Sequence, residues 1–134
     1  MILLLDTNAI SALRRPERAP QVAAWLRGQS EDQLFLSAIT LGEIERGIRL
    51  QAARNPEFAR DLRFWLDRTM LIFSDRILPF DSAAARIWGA LSARIGHDGA
   101  DLMIAVTDLA QERAVVTSNV DDFVSTGVRV INPF

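Results

Sequence analysis

Asp6 closes the opening run Met1-Ile2-Leu3-Leu4-Leu5-Asp6, Glu43 lies one turn into a predicted helix, and Asp101 opens another. Asp121 and Asp122 follow Asn119 beside a late apolar run. Carboxylates brought within a few ångströms repel unless they take up protons or bind a cation. A cluster made only of carboxylate oxygens suits Mg2+ or Mn2+. The chemistry such a site does well is phosphodiester cleavage, in which a metal-activated water attacks in line. The chain has no cysteine and one histidine, His97, so a thiolate site, a Cys nucleophile and a His-based cluster are excluded within one chain.

Each acid also has a purely local explanation. Thr40-Leu41-Gly42-Glu43 reads as a capping box, with Thr40 as cap and Glu43 reaching back to a backbone N–H. Gly42 and Gly47 weaken that helix, and Gly47 leaves room for a ligand one turn beyond Glu43. Asp98 is a candidate cap for the helix that Asp101 enters as a first-turn acid favoured by the dipole. Asp108 and Glu112 share its face but lie ~10 and ~16 Å further along, so they are assigned to a solvated face outside the site. One of Asp121 and Asp122 is expected to cap a short turn. Asp6 is explained by capping only if a helix begins at once.

The elements that must position these acids alternate. Ile2–Leu5, Leu34–Leu36, Ile77–Phe80, Ala114–Thr117 and Val128–Ile131 read as strands. Helices are predicted over Pro20–Arg27, Thr40–Arg54, Phe58–Phe73, Ala83–Ile95 and Ala100–Arg113, with Asn55-Pro56 ending one and Asp81 capping another. Gly96-His97-Asp98-Gly99 is a turn, and Asn119–Phe123 is a short turn or helix. This alternation predicts an α/β fold with a mostly parallel sheet covered on both faces. Ligands of such sheets bind beyond the carboxyl ends of the strands, where strand order reverses. If the first and fourth strands are neighbours, Asp6 and the Asn119–Asp122 segment converge there.

Residues 1–134 are expected to form one domain, without repeats or a linker. The opening apolar run is too short for a signal peptide or membrane span, and the expectation is a cytoplasmic protein without membrane association. All 15 basic residues are arginine and the net charge is −2. Nucleic acid would therefore be held by a local arginine patch or bound cations rather than by a global field.

Taken in order, Leu5-Asp6-Thr7-Asn8, Ser37-Ala38-Ile39-Thr40 leading to Glu43, Asp101-Leu102-Met103-Ile104-Ala105, and Val116-Thr117-Ser118-Asn119 with Asp122-Phe123 resemble the PIN-domain ribonucleases. The closest likeness is to the VapC and FitB-like toxins of type II toxin–antitoxin pairs, and it runs through Arg76-Ile77-Leu78-Pro79-Phe80-Asp81 to the closing Ile131-Asn132-Pro133-Phe134. The resemblance implies a three-layer α/β/α sandwich around a five-stranded, mostly parallel sheet. It implies Asp6, Asp101 and Glu43 as ligands of Mg2+, with Mn2+ an alternative, and Glu43 as the acid that positions or deprotonates the attacking water. Asp122 would be the fourth catalytic acid, although some relatives carry theirs where this chain has Asn119, and Asp121 stands beside it. Asn8 and Thr117 would orient the carboxylates, while Asn119 could contribute only a neutral oxygen. A homodimer, structured RNA such as tRNA as substrate, and a cognate DNA-binding antitoxin of the VapB or FitA kind also follow. Arg14, Arg15, Arg46 and Arg49 are candidates for gripping RNA.

Two rival enzymes use Mg2+ at an acid past the first strand. A haloacid-type phosphatase wants a second Asp where this chain has Asn8, and a receiver domain wants a lysine that this chain lacks. The non-enzymatic alternative is a toxin-like module that only sequesters a partner.

Overall fold

The computed structural model describes residues 2–109 and 113–134. The elements run β1 (Ile2–Leu5), α1 (Thr7–Arg14), α2 (Pro20–Arg27), a 3-10 turn (Glu31–Gln33), β2 (Leu34–Ser37), α3 (Ala38–Ala52) and α4 (Pro56–Ile72). They continue with β3 (Ile77–Leu78), α5 (Ser82–Ile95), α6 (Ala100–Leu109), β4 (Arg113–Val116), α7 (Val120–Val124) and β5 (Arg129–Ile131). The sheet order is β3-β2-β1-β4-β5 and every pairing is parallel. β1 is thus the strand from which the order runs both ways, and it pairs directly with β4, Leu5 opposite Val116.

The unbroken aliphatic run of β1 follows from burial on both faces. Leu3 and Leu5 join Ile10, Val22, Leu26, Leu36 and Val116 beneath one helical layer, whereas Leu4 meets Ile104, Ala105, Val115 and Phe123 beneath the other. Side chains that alternate across a strand serve two cores at once. The α/β/α sandwich expected from the alternation is the fold observed. No helix of the described residues is long and apolar enough to cross a membrane.

Several boundaries differ for local reasons. Ser37, the last residue of β2, doubles as the cap of α3, its hydroxyl accepting from the Ile39 N–H at 3.1 Å. That helix therefore starts before Thr40, which lies buried inside its first turn, and no Thr40–Glu43 capping box forms. Asp6 does cap a helix that begins at once, and Asp81 caps α5 as expected. β3 is shorter than predicted, ending at Leu78. The first helical carbonyl of α6 belongs to Gly99, which accepts from Leu102, one residue after the expected cap Asp98. Arg113 belongs to β4 rather than to the end of α6, and residues 110–112 of the predicted helix, with Glu112, lie outside the described residues.

Asp108 corrects a second expectation. It is 2 % exposed and not on a solvated face. α6 is wedged between α5 and the sheet, so Leu102, Ile104, Ala105, Val106, Thr107 and Asp108 are all buried.

Candidate active site

Parallel pairing of β1 with β4 sets the site. The strands run in register to Leu5 and Val116, the Asp6 N–H donates to the Val116 carbonyl at 3.0 Å, and Thr117 follows beside Asp6. The Thr117 hydroxyl donates to Asp6 Oδ2 at 2.8 Å and accepts from the Asn8 amide at 3.2 Å and the Asn119 N–H at 3.0 Å. One donor and two lone pairs are thereby all in use. Asp6 Oδ1 takes the Thr7 N–H at 2.8 Å, as cap of α1. Oδ1 is held locally, whereas Oδ2 is held by a residue that reaches it only because β1 and β4 are neighbours.

α3 delivers Glu43. Its Oε1 accepts from the Thr7 hydroxyl at 3.1 Å, a contact across 36 residues. α6 delivers Asp101 in its first turn, and α7 brings Asp122, which shares a hydrogen bond with Asp101. Glu43, His97, Gly99, Ala100, Asp101 and Asp122 line a cavity of about 330 Å3. Asp6 is not on its lining and is almost fully buried, yet its charge is felt by Glu43 and Asp101.

The electrostatics are those of a strained cluster. Burial raises the Asp6 carboxyl, the bonds from Thr117 and Thr7 pull it back, and the Asp122 charge raises it again. Burial also raises Glu43, against its Thr7 bond and with a push from Asp6. Asp101 is pushed up to about 6 by burial, then by the Asp6 charge, its hydrogen bond with Asp122, and the Asp122 and Glu43 charges. Like charges held together in this way are the condition that a divalent cation relieves. Among the described residues, no three His, Cys, Asp or Glu side chains already stand drawn together as a metal cage. The donor set fits Mg2+ or Mn2+ by its chemistry, all carboxylate, and by its unbalanced charge.

Of the predicted site residues, the structure brings together Asp6, Glu43, Asp101 and Asp122, with Asn8 and Thr117 fastened beneath Asp6. Asp122, and not Asp121 or Asn119, lines the cavity together with Asp101 and raises its proton affinity. Asn119 takes the cap position of α7 without a side-chain cap bond, and Asp121 and Asp122 sit in its first turn, so neither acid is the cap. Asp121 and Asn119 line an adjoining cavity with Ser118, Val120 and Asp122. Arg46 is exposed and Arg49 pairs with Glu45 at 3.4 Å on the surface of α3.

Two residues of the site were not singled out from sequence. Thr7 stands between Asp6 and Asn8, but its partner Glu43 is on an element whose approach no local pattern encodes. His97 is the single histidine and part of a turn, and nothing in the sequence places it at the site.

Comparison with known proteins agrees with this layout. Residues 3–128 match the profile of the PIN domain family. Toxin FitB of Neisseria gonorrhoeae is 34% identical over 139 residues, covering 99% of each chain. A VapC ribonuclease of Sinorhizobium fredii is 34% identical over 140 residues, covering 99% of this chain and 98% of the relative. Among solved structures, FitAcB from N. gonorrhoeae superposes with a TM-score of 0.84 at 33% identity over 98% of each chain.

Proposed function

The chain belongs to the PIN domain family, and from that premise we propose that it is a divalent-cation-dependent endoribonuclease, the toxin of a toxin–antitoxin pair. Its substrate is structured RNA, with tRNA the expected class. The observation that carries this reading is the convergence of Glu43, Asp101 and Asp122 from three separate elements on one cavity, with the buried Asp6 close enough to raise the proton affinity of Glu43 and Asp101. The names of its relatives, a toxin and a VapC ribonuclease, support it.

Asp6, Glu43 and Asp101 would hold Mg2+ or Mn2+, with Asp122 as the fourth acid. When bound, the cation supplies an acidified water and neutralises charge on the scissile phosphate. The remaining work falls to the chain. Thr117 and the Thr7 N–H fix the two Asp6 oxygens, so that carboxylate cannot turn away. Asn8 locks Thr117 in turn, its own carbonyl accepting from the Ser118 N–H at 3.3 Å. Thr7 holds Glu43 Oε1, leaving Oε2 to accept the proton of the attacking water. Positioning residues of this kind set how well a carboxylate site performs.

The partner that restrains the activity is a small DNA-binding antitoxin, in keeping with a relative solved as FitAB bound to a DNA fragment. A homodimer is the expected assembly.

The test uses protein purified free of antitoxin and incubated with total RNA in Mg2+ and then in EDTA. Discrete fragments that disappear in EDTA, and with Asp6→Asn, support the nuclease. Tight binding of the antitoxin with RNA left intact in both conditions would instead favour the sequestering module. Sequencing the RNA ends produced on brief expression identifies the target and the bond.

A further inference from the structure

A second cavity opens along α1, and its charge is the reverse of the first. About 160 Å3 in volume, it is lined by Asn8, Ser11, Ala12, Arg14, Arg15, Arg18 and Ala19. The turn after α1 folds the chain back, with the Arg18 N–H donating to the Arg15 carbonyl at 3.0 Å, so three guanidinium-bearing residues face one small space. The Arg14 guanidinium lies 5.8 Å from the ring centres of both Phe58 and Trp65, an aromatic cradle that holds its position. Arg15 Nε is buried and has no hydrogen-bond partner, and its Nη1 reaches only Glu17, at 3.6 Å and on the exposed side.

Arginines gathered in this way repel. Burial lowers the proton affinity of Arg14, and the charges of Arg15 and Arg18 lower it further against the one opposing acid, Glu17. An anion relieves this arrangement as a cation relieves the acidic one. A water occupies about 30 Å3 of liquid, so the space admits a tetrahedral oxyanion with its attendant water, while falling short of the ~300 Å3 at which pockets for drug-sized molecules begin. Guanidinium groups match the oxygens of a phosphate.

Asn8 links this cavity to the acidic residues. It lines the arginine cavity while its amide donates to Thr117, whose hydroxyl holds Asp6. From Thr7 to Arg15 the helix advances ~12 Å, a few nucleotides of strand at most.

We propose that the Arg14, Arg15 and Arg18 cavity is a phosphate subsite, which holds a backbone phosphate of the RNA strand flanking the bond placed at the acidic site. The proposal rests on the nuclease reading and gives that site a direction. The strand runs along α1, with the cleaved linkage at the helix's amino end and the gripped phosphate at its carboxyl end.

The experiment measures binding of a fluorescein-labelled single-stranded oligoribonucleotide to the full chain, in EDTA, across a salt series. Arg15→Gln/Arg18→Gln is expected to bind at least tenfold more weakly. Its salt slope should flatten by about 1.4, two phosphate contacts at ~0.7 each on a single strand. Exposed Arg18→Gln alone, which carries little folding risk, should flatten it by about 0.7. In Mg2+ the double variant is expected to raise KM while kcat stays within about threefold, since the reacting groups are untouched.

Wild-type protein that cleaves RNA while the double variant keeps its affinity and slope overturns the subsite alone. Equal weakening by a control pair of the same charge change, Arg60→Gln/Arg86→Gln, also overturns it, because the effect would then be general charge. Loss of affinity for an oligo-glutamate peptide with RNA affinity intact would reassign the cavity to an acidic partner and overturn it. Wild-type protein that leaves RNA whole in Mg2+ sinks the nuclease reading and the subsite with it.

Discussion

The two edges of this sheet treat buried charge in opposite ways. At the amino edge, Arg76 immediately precedes β3 and is 9 % exposed. Its Nη1 donates to the carbonyls of Glu31 and of Leu34, the latter at 2.9 Å, and its Nη2 to that of Ile72 at 2.9 Å. Its Cζ lies 4.6 Å from the centre of the Phe73 ring, and Asp75 and Glu31 stand at 3.4 and 3.9 Å. One cation ties the end of α4, the 3-10 turn and the start of β2 together, satisfying carbonyls that a helix end leaves open. At the carboxyl edge, Asp6, Glu43, Asp101 and Asp122 have hydroxyls, backbone N–H groups and one another as partners, and burial followed by the neighbouring acids raises the proton affinities of Asp6, Glu43 and Asp101. A buried charge with its full set of partners stabilises the fold. A buried cluster of one sign costs stability and marks the place where a ligand completes it.

Substitutions should split along that line. Asp6→Asn is expected to lower RNA cleavage about 10^3-fold, several kcal/mol of transition-state stabilisation. Its melting temperature in EDTA should stay within a few degrees of the wild type, because a repelling charge is gone and the cap oxygen remains while the bond from the Thr117 hydroxyl is lost. A large drop in melting temperature would show that Asp6 is mainly structural and would dissolve the contrast. Arg76→Met should do the reverse. It orphans at least two buried carbonyls and is expected to cost about 3 kcal/mol, ~10 °C in thermal unfolding, while cleavage per folded molecule is retained.

Smaller effects sharpen the same comparison. Thr7→Val removes the bond that orients Glu43 and is expected to lower cleavage about tenfold without moving the melting temperature by more than a few degrees. For pH, Asp101 holds its proton to about 6 when folded, against an ordinary 3.8. Protonation is thus favoured in the folded chain, and the stability this group contributes is present below 3.8 and lost as pH rises towards 6. Asp101 is partly exposed, so solvent screening reduces the effect to about 1 kcal/mol. Urea unfolding in EDTA should show the fall across that window, and Asp101→Asn should flatten it. Added Mg2+ should restore stability at neutral pH by binding only the folded chain.

Much of this was legible in advance. The phases of β1, α2 and α5, the cap at Asp81 and the ends at which the acids lie all rest on interactions within a few residues, which a linear pattern records. Glu43 was harder. Its local sequence spells a capping box, and only the cap at Ser37, taken straight from a strand without a loop, shows that box to be empty. Asp108 was misplaced because a helical face reads as solvated until the elements packed on it are known. Arg76 was part of a family-like segment, and nothing nearby in the chain announced the carbonyls of Glu31 and Leu34.

The sequence by itself determined the alternation of strands and helices, the placing of the acids at element ends and the likeness to PIN-domain ribonucleases. Tertiary structure alone decided that Asp122 rather than Asp121 or Asn119 meets Asp101, that Thr7 holds Glu43, and that an arginine cavity lies beside an acidic one. The reason is range. Periodicity and capping are settled by neighbours within a turn or a strand, whereas these contacts join residues tens of positions apart and exist only once strand order and helix packing have brought them face to face.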